Sequence, residues 1–261
     1  MKNIIILFAL IISVASCKNE TKEQAVVEPE IIEETVDTTT FNVTPISHAT
    51  MVLEMGGTII YVDPVGGASA FEGMPEPDLI LITDIHGDHF DLKTLEAINT
   101  AETKIFVPMA VAEKLPEFLQ AQIAVISNGD TKDAFEMMIE AIPMYNLRKE
   151  ALKFHEKGRG NGYVINKNGY RVYISGDTED IPEMRQLDSI DVAFVCMNLP
   201  YTMTVESAAD AVLDFRPEVV YPYHFRGTDG MSDVAKFKSL VNAANDSIEV
   251  IQLDWYPENN Q

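Results

Sequence analysis

Two imidazoles and two carboxylates fall together in Asp84-Ile85-His86-Gly87-Asp88-His89, which holds two of the chain's five histidines. His and Asp are the side chains that offer nitrogen and oxygen lone pairs to divalent cations. The cluster follows Leu79-Ile80-Leu81-Ile82, an apolar run that reads as a buried strand. A strand fixes where such ligands start and the turn after it frees where they point, so several can converge on one ion. Taken singly, the same residues are ordinary turn formers. It is their interleaving with one another that points to a metal.

Two further strand ends carry ligand chemistry. Tyr170–Ile174 leads into Ser175-Gly176-Asp177-Thr178, and Val219-Val220-Tyr221-Pro222-Tyr223 ends in His224. A structural zinc site is closed by four ligands, usually including thiolates; this set is larger and contains no cysteine.

The elements that must position these residues alternate along the chain. Phe41–Ile46, Met51–Met55 and Thr58–Val62 read as strands, with Gly56-Gly57 as a tight turn and Asp63-Pro64 as the stop. Asp91 caps a helix to Ile98. There follow a strand at Lys104–Val107, a helix at Ala110–Leu119, and strands at Gln122–Ile126 and Ala134–Ala141. Gly162–Ile165 and Tyr170–Ile174 form a hairpin about Asn168-Gly169. A helix at Pro182–Leu187 and a strand at Val192–Cys196 precede a helix capped by Thr204, with Val205, Ala208, Ala209, Val212 and Leu213 at helical spacing. A helix at Ser232–Ala243 and a strand at Ile248–Leu253 complete the pattern.

The cluster resembles the H-x-H-x-D-H signature of the metallo-β-lactamase superfamily, with Asp84 in place of the first histidine. Gly176-Asp177-Thr178 and Tyr221-Pro222-Tyr223-His224 follow in the expected order, and the likeness runs from about Phe41 onward. Within the superfamily the chain is most similar to the branch of ascorbate-type lactonases and N-acyl-phosphatidylethanolamine phospholipase D. Ser47-His48-Ala49 and Val62-Asp63-Pro64 are similar to that branch's G-H-A-S and V-D-P elements.

The resemblance implies an α/β fold, a four-layer αββα sandwich over residues 41–261. It implies two divalent ions, zinc or manganese with iron as a further option, bridged by Asp177. Asp84 and His86 then serve the first ion, and Asp88, His89 and His224 the second. The Asp84 carboxylate moves the preference from zinc toward manganese or iron. A water between the ions becomes the nucleophile, with Asp88 as the catalytic residue that orients it and accepts its proton.

One ligand of the first ion is missing, because Asn146 stands in the branch's histidine slot. His155 is the candidate to replace it, or to bind substrate; the alternative is an ordinary surface-loop histidine. His48, Tyr145, Asn146, Asn198 and Tyr201 are candidate substrate contacts, each equally readable as packing. The function expected is hydrolysis of a small ester, lactone or phosphodiester. The alternative is a non-catalytic metal- or ligand-binding lipoprotein, since both Asp84 and Asn146 depart from the histidine pattern.

The chain begins with Met1-Lys2-Asn3 and the apolar Ile4–Ile12, too short to span a bilayer, which reads as a secretory signal over residues 1–16. Val14-Ala15-Ser16-Cys17 resembles a bacterial lipobox, implying a lipid on Cys17; the alternative is an ordinary signal with a chance cysteine. Each lipid methylene buried in a membrane contributes on the order of 0.8 kcal/mol. Residues 17–40 are acidic and lack periodicity, as a tether would. These features place the domain in the cell envelope, periplasmic or surface-facing. With 19 Lys+Arg against 41 Asp+Glu the net charge is −22, which repels nucleic acid and leaves a small molecule as the expected partner. Cys196 lies in an apolar run and reads as a buried thiol. The oligomeric state stays open.

Overall fold

Apolar side chains alternate along the central strands, and the two sets pack into different layers. Leu53, Ile60, Val62, Leu79 and Leu81 enter the main core, whereas Val52, Tyr61, Ile80, Ile105 and Val107 pack with Leu95 and Val111 in a second cluster. Near-continuous apolar runs are what strands covered on both faces require. The computed structural model describes residues 40–257. The expected signal, Cys17 and the tether as far as residue 39 lie outside the described residues.

The first sheet consists of β1 (Phe41–Ser47), β2 (Thr50–Met55), β3 (Thr58–Val62), β4 (Leu79–Leu81), β5 (Lys104–Val107) and β6 (Ile123–Val125), in that spatial order. β1 to β3 form an antiparallel meander, and β3 to β6 run parallel. α1 (Leu92–Ile98) and α2 (Met109–Ala112) supply Leu95 and Val111 to its outer face.

The second sheet contains β7 (Thr131–Ala134), β8 (Met137–Met144), β9 (Gly160–Lys167), β10 (Tyr170–Ile174), β11 (Val192–Cys196) and β12 (Val219–Tyr223). A small ribbon of β13 (Arg226–Gly227) and β14 (Gly230–Met231) follows, and β15 (Glu249–Val250) rejoins the sheet beside β12. α3 (Pro182–Arg185), α4 (Val205–Phe215) and α5 (Val234–Ala244) cover it through Met184, Val212 and Phe237. Helix, sheet, sheet and helix make the four layers of the αββα sandwich.

Three elements differ from expectation. The helix expected over Ala110–Leu119 is only Met109–Ala112 followed by a 3-10 turn at Glu117–Leu119, because Pro116 removes a donor and breaks it. The strand expected over Ala134–Ala141 is a hairpin, turning at Phe135 and Glu136 with φ of 53° and 59°. The last strand is confined to Glu249–Val250.

The topology brings the ligand-bearing loops to one rim. β3, β4, β10, β11 and β12 all end there, and the antiparallel β8 and β9 end and begin there. The Asn161 amide donates to the Thr83 carbonyl at 2.9 Å, tying the end of β4 to the start of β9 across the two sheets.

Candidate metal centre

Asp177 stands at the middle of the rim, buried, with its two carboxylate oxygens facing different partners. Oδ1 lies 2.9 Å from His224 Nε2; Oδ2 lies 3.1 Å from His155 Nε2 and 3.4 Å from His89 Nε2. Gly176 makes the turn that delivers it: φ is 60°, and a Cβ there would come within 2.6 Å of Met144 Sδ. The three strand-end motifs, separated in sequence, thus meet at one carboxylate.

The half of the centre formed by His89, His224 and Asp177 is incomplete by hydrogen-bond accounting. Among the described residues Asp177 Oδ1 accepts no hydrogen bond, although it lies 2.9 Å from His224 Nε2. His89 Nε2 and His224 Nε2 face each other at 3.1 Å. Nitrogen and oxygen lone pairs converging on a common point, in a fully buried place, fit a divalent ion. Asp88 borders the same point, 3.6 Å from His224 Nε2, and is 41% exposed to the cavity.

The second layer fits as well. Asp63, buried at the end of β3, accepts the Thr83 amide at 2.7 Å and its hydroxyl at 2.6 Å, and meets His89 Nδ1 at 2.8 Å. A carboxylate behind the ring fixes the Nδ1–H tautomer and leaves Nε2 for the ion. Burial alone would lower the His89 pKa, yet the Asp177 and Asp63 carboxylates hold it well above the usual histidine value. Burial likewise opposes charge on Asp177, but His224, His89 and His155 hold it well below the usual carboxylate range. The pocket favours positive charge, and a divalent ion bound there would displace the proton that otherwise supplies it.

The other half contains Asp84, His86 and His155, whose ligand atoms lie within 4.8 Å of one another. It is already satisfied. Asp84 is held bidentately by Arg159, Nε to Oδ1 at 3.1 Å and Nη2 to Oδ2 at 2.9 Å, and also meets His86 Nδ1 at 2.7 Å. His155 is backed by Asn146, whose Nδ2 lies 3.2 Å from His155 Nδ1. This half fits an ion less well than the first.

Around the centre is a cavity of about 310 Å³ lined by His86, Asp88, Phe154, His155, Asp177, Asn198 and Tyr201. Asn198 Nδ2 is 3.3 Å from His224 Nε2, and Tyr201 turns its hydroxyl to Thr228 at 2.8 Å. His48, in the turn between β1 and β2, reaches Asp88 at 3.4 Å. Two of the candidate contacts stand elsewhere. Tyr145 lines a neighbouring cavity instead, because its hydroxyl is bound to Glu183 at 2.9 Å and its ring lies under the Lys157 ammonium at 4.5 Å. Asn146 is buried behind His155, bound to the carbonyls of Ala151 at 2.9 Å and Tyr201 at 2.6 Å.

Sequence reasoning missed Arg159 and Tyr256. Arg159 is one cation among several in a charged loop, with no pattern of its own. Tyr256 lies near the end of the chain, yet its hydroxyl is 2.8 Å from His48 Nδ1.

Residues 42–224 match the family described as the beta-lactamase superfamily domain. A UPF0173 metal-dependent hydrolase of Thermococcus onnurineus is 30% identical over 217 residues, covering 80% of this chain and 94% of the relative. Another from Anaeromyxobacter is 30% identical over 203 residues, covering 70% of this chain and 74% of the relative. A solved structure from Parabacteroides distasonis is 37% identical with a TM-score of 0.73, covering 83% of this chain and 94% of that one. Igni18, a metallo hydrolase of Ignicoccus hospitalis, superposes with a TM-score of 0.69 at 25% identity, covering 82% of this chain and 95% of that one.

Proposed function

We propose that this chain, which belongs to the beta-lactamase superfamily and resembles metal-dependent hydrolases over most of its length, hydrolyses a small ester, lactone or phosphodiester. The observation that carries this reading is the buried Asp177 carboxylate between His224 and His155, with an oxygen left unbonded. His89, His224, Asp177 and Asp88 would hold one divalent ion; Asp84, His86, His155 and the far oxygen of Asp177 would offer a place for a second. An ion bound there supplies a Lewis acid that activates water and polarises the scissile bond.

The chain's own residues do the rest. Burial works against charge on Asp88, but the hydrogen bond from His48 and the nearby His89 hold its carboxyl below the usual range, so it is ionised at neutral pH. An ionised carboxylate open to the cavity orients a water molecule and accepts its proton. Asn198 and Tyr201 supply polar contacts for substrate, and Phe154 an apolar wall. A cavity of about 310 Å³ suits a small molecule. The net charge of −22 supports a partner other than nucleic acid. Attachment to the cell envelope through Cys17 belongs to the same reading and rests on the lipobox; the mass of the mature N-terminal peptide tests it.

The test of function is turnover of lactone, phosphodiester and aryl-ester panels by chelated protein resupplied with zinc or manganese. Activity that disappears on chelation, returns with metal and is abolished in Asp177→Asn and His224→Ala supports the hydrolase. Metal uptake without turnover of any panel member supports the non-catalytic binder.

A further inference from the structure

We infer that Arg159 and Asn146 make the two halves of the centre unequal, so that one divalent ion binds tightly beside His89 and His224 while the Asp84 half is a weak, late-filling site. The inference rests on the metal-centre reading and adds an order of filling and the residues that set it.

Two independent arrangements carry it. The first is charge. Asp84 is fully buried and both of its oxygens are engaged by the Arg159 guanidinium, which is itself anchored by the Phe154 carbonyl at 2.6 Å. Arginine stays protonated, and a planar fork on a buried carboxylate is screened little by solvent. The one negative charge that belongs to this half alone is therefore neutralised, and an entering cation meets a positive group a few ångströms away. Asp88, in the other half, has no such partner among the described residues: its neighbours are His48, His89 and His224.

The second arrangement is lone pairs. The two hydrogens of the Asn146 NH2 group go to the Ala151 and Tyr201 carbonyls, so what His155 Nδ1 meets at 3.2 Å is a nitrogen that accepts nothing. A hydrogen on Nδ1 would have no acceptor there, and it goes instead to Nε2, aimed at Asp177 Oδ2 at 3.1 Å. His86 turns Nδ1 to Asp84, and its Nε2 lies 3.4 Å from Arg159 Nη2, whose hydrogens go to Asp84 and Phe154, so a cation at Nε2 stands beside the guanidinium charge. His89 is the opposite case, with a carboxylate behind it and Nε2 directed to the centre. In one half the carboxylate and both rings are already paired, although the buried Asn146 Oδ1 behind them accepts no hydrogen bond; in the other the unbonded atom is a ligand oxygen, Asp177 Oδ1, which a cation would complete.

The experiment is zinc and manganese titration of chelated full-length protein, by calorimetry and by metal analysis after gel filtration. The wild type is expected to take up one equivalent tightly and a second at least about 10- to 100-fold more weakly, the range over which outer partners tune metal affinity. Arg159→Met is expected to narrow that gap. Nitrogen-15 NMR of the metal-free wild type, which depends on no variant folding, is expected to show His155 protonated at Nε2. Two equivalents of equal affinity in the wild type, a second site weakened by Arg159→Met, or His155 protonated only at Nδ1 would each overturn the inference while leaving the metal centre standing. Absence of any metal uptake would overturn both.

Discussion

His48 Nε2 stands 3.4 Å from an Asp88 carboxylate oxygen, while the other ring nitrogen meets Tyr256 Oη at 2.8 Å and His224 Nδ1 at 3.2 Å. The imidazole thus links the end of the chain to the carboxylate proposed to handle protons. It sits in a turn at φ 57°, a conformation that Asn and Asp also tolerate. Replacing it with Asn keeps the turn and removes the reach. His48→Asn is expected to lower kcat by about 10- to 100-fold, as loss of outer partners does in metal sites, with little change in Tm. Steady-state kinetics at saturating metal, run beside thermal unfolding, check this; unaltered kcat would remove His48 from the machinery.

Chelated protein is expected to be most stable near pH 6.5 and to weaken on either side. Burial pushes the His48 pKa down to about 4. Below the ordinary value near 6.5 the unfolded chain therefore binds a proton that the folded chain refuses, and stability falls as pH drops toward 4. The gap corresponds to ~3 kcal/mol at most. His89 acts in the opposite sense: its raised pKa contributes stability in full below 6.5, lost as pH rises through the elevated value. Urea midpoints across this range with chelator present measure both limbs. His48→Asn should flatten the acid limb, and a wild-type acid limb already flat would contradict the assignment.

The clustering of Asp84–His89, Asp177 and His224 was legible because each follows a strand whose apolar run is local; His155 instead lies in the loop between β8 and β9. Asp91 and Thr204 cap helices as their positions suggested, accepting the amides of Lys93 at 3.0 Å and Ser207 at 3.1 Å. Asn168-Gly169 turns a hairpin as its type demands. Phe135-Glu136 turns one as well, and neither residue announces it. What stayed hidden depends on the sandwich closing. Arg159 lies 75 residues from Asp84, and Tyr256 lies 208 from His48. Each of these pairs exists only once both sheets present the same rim, and no local pattern encodes the partner.

Glu179 joins two loops of that rim. Its buried carboxylate accepts the Leu147 and Arg148 amides at 2.8 Å each and Arg148 Nε at 2.6 Å, and the same guanidinium donates to the carbonyls of Pro200 at 3.1 Å and Thr202 at 2.6 Å. Glu179→Gln points an NH2 group at donors and leaves Arg148 only the exposed Glu150 carboxylate, at 3.5 Å, as counter-charge. A loss of about 1–3 kcal/mol is expected, with a raised KM because Tyr201 lies on the loop released. Denaturant unfolding decides it; a change within ±0.5 kcal/mol, the range of neutral surface substitutions, would mean that the loops are held by other contacts.

Gly227 backs directly onto the other side of the same loop. A Cβ built on it overlaps the Leu199 carbonyl oxygen and comes within 2.8 Å of the carbonyl carbon. That oxygen also accepts the Thr228 amide at 3.1 Å, so it cannot move without losing a bond. Both partners are backbone, and no side-chain rotation relieves the clash. Gly227→Ala is therefore expected to displace residues 198–202 as a unit, at a stability cost of about 1–3 kcal/mol typical of forced overpacking. The displaced residues include Asn198 and Tyr201, which line the cavity, whereas His89, Asp177 and His224 stand on other strands and stay in place. The variant should consequently retain tight uptake of the first metal ion while its KM rises by more than its kcat falls. A variant that loses metal and keeps its KM would show that the loop supports the centre rather than the substrate.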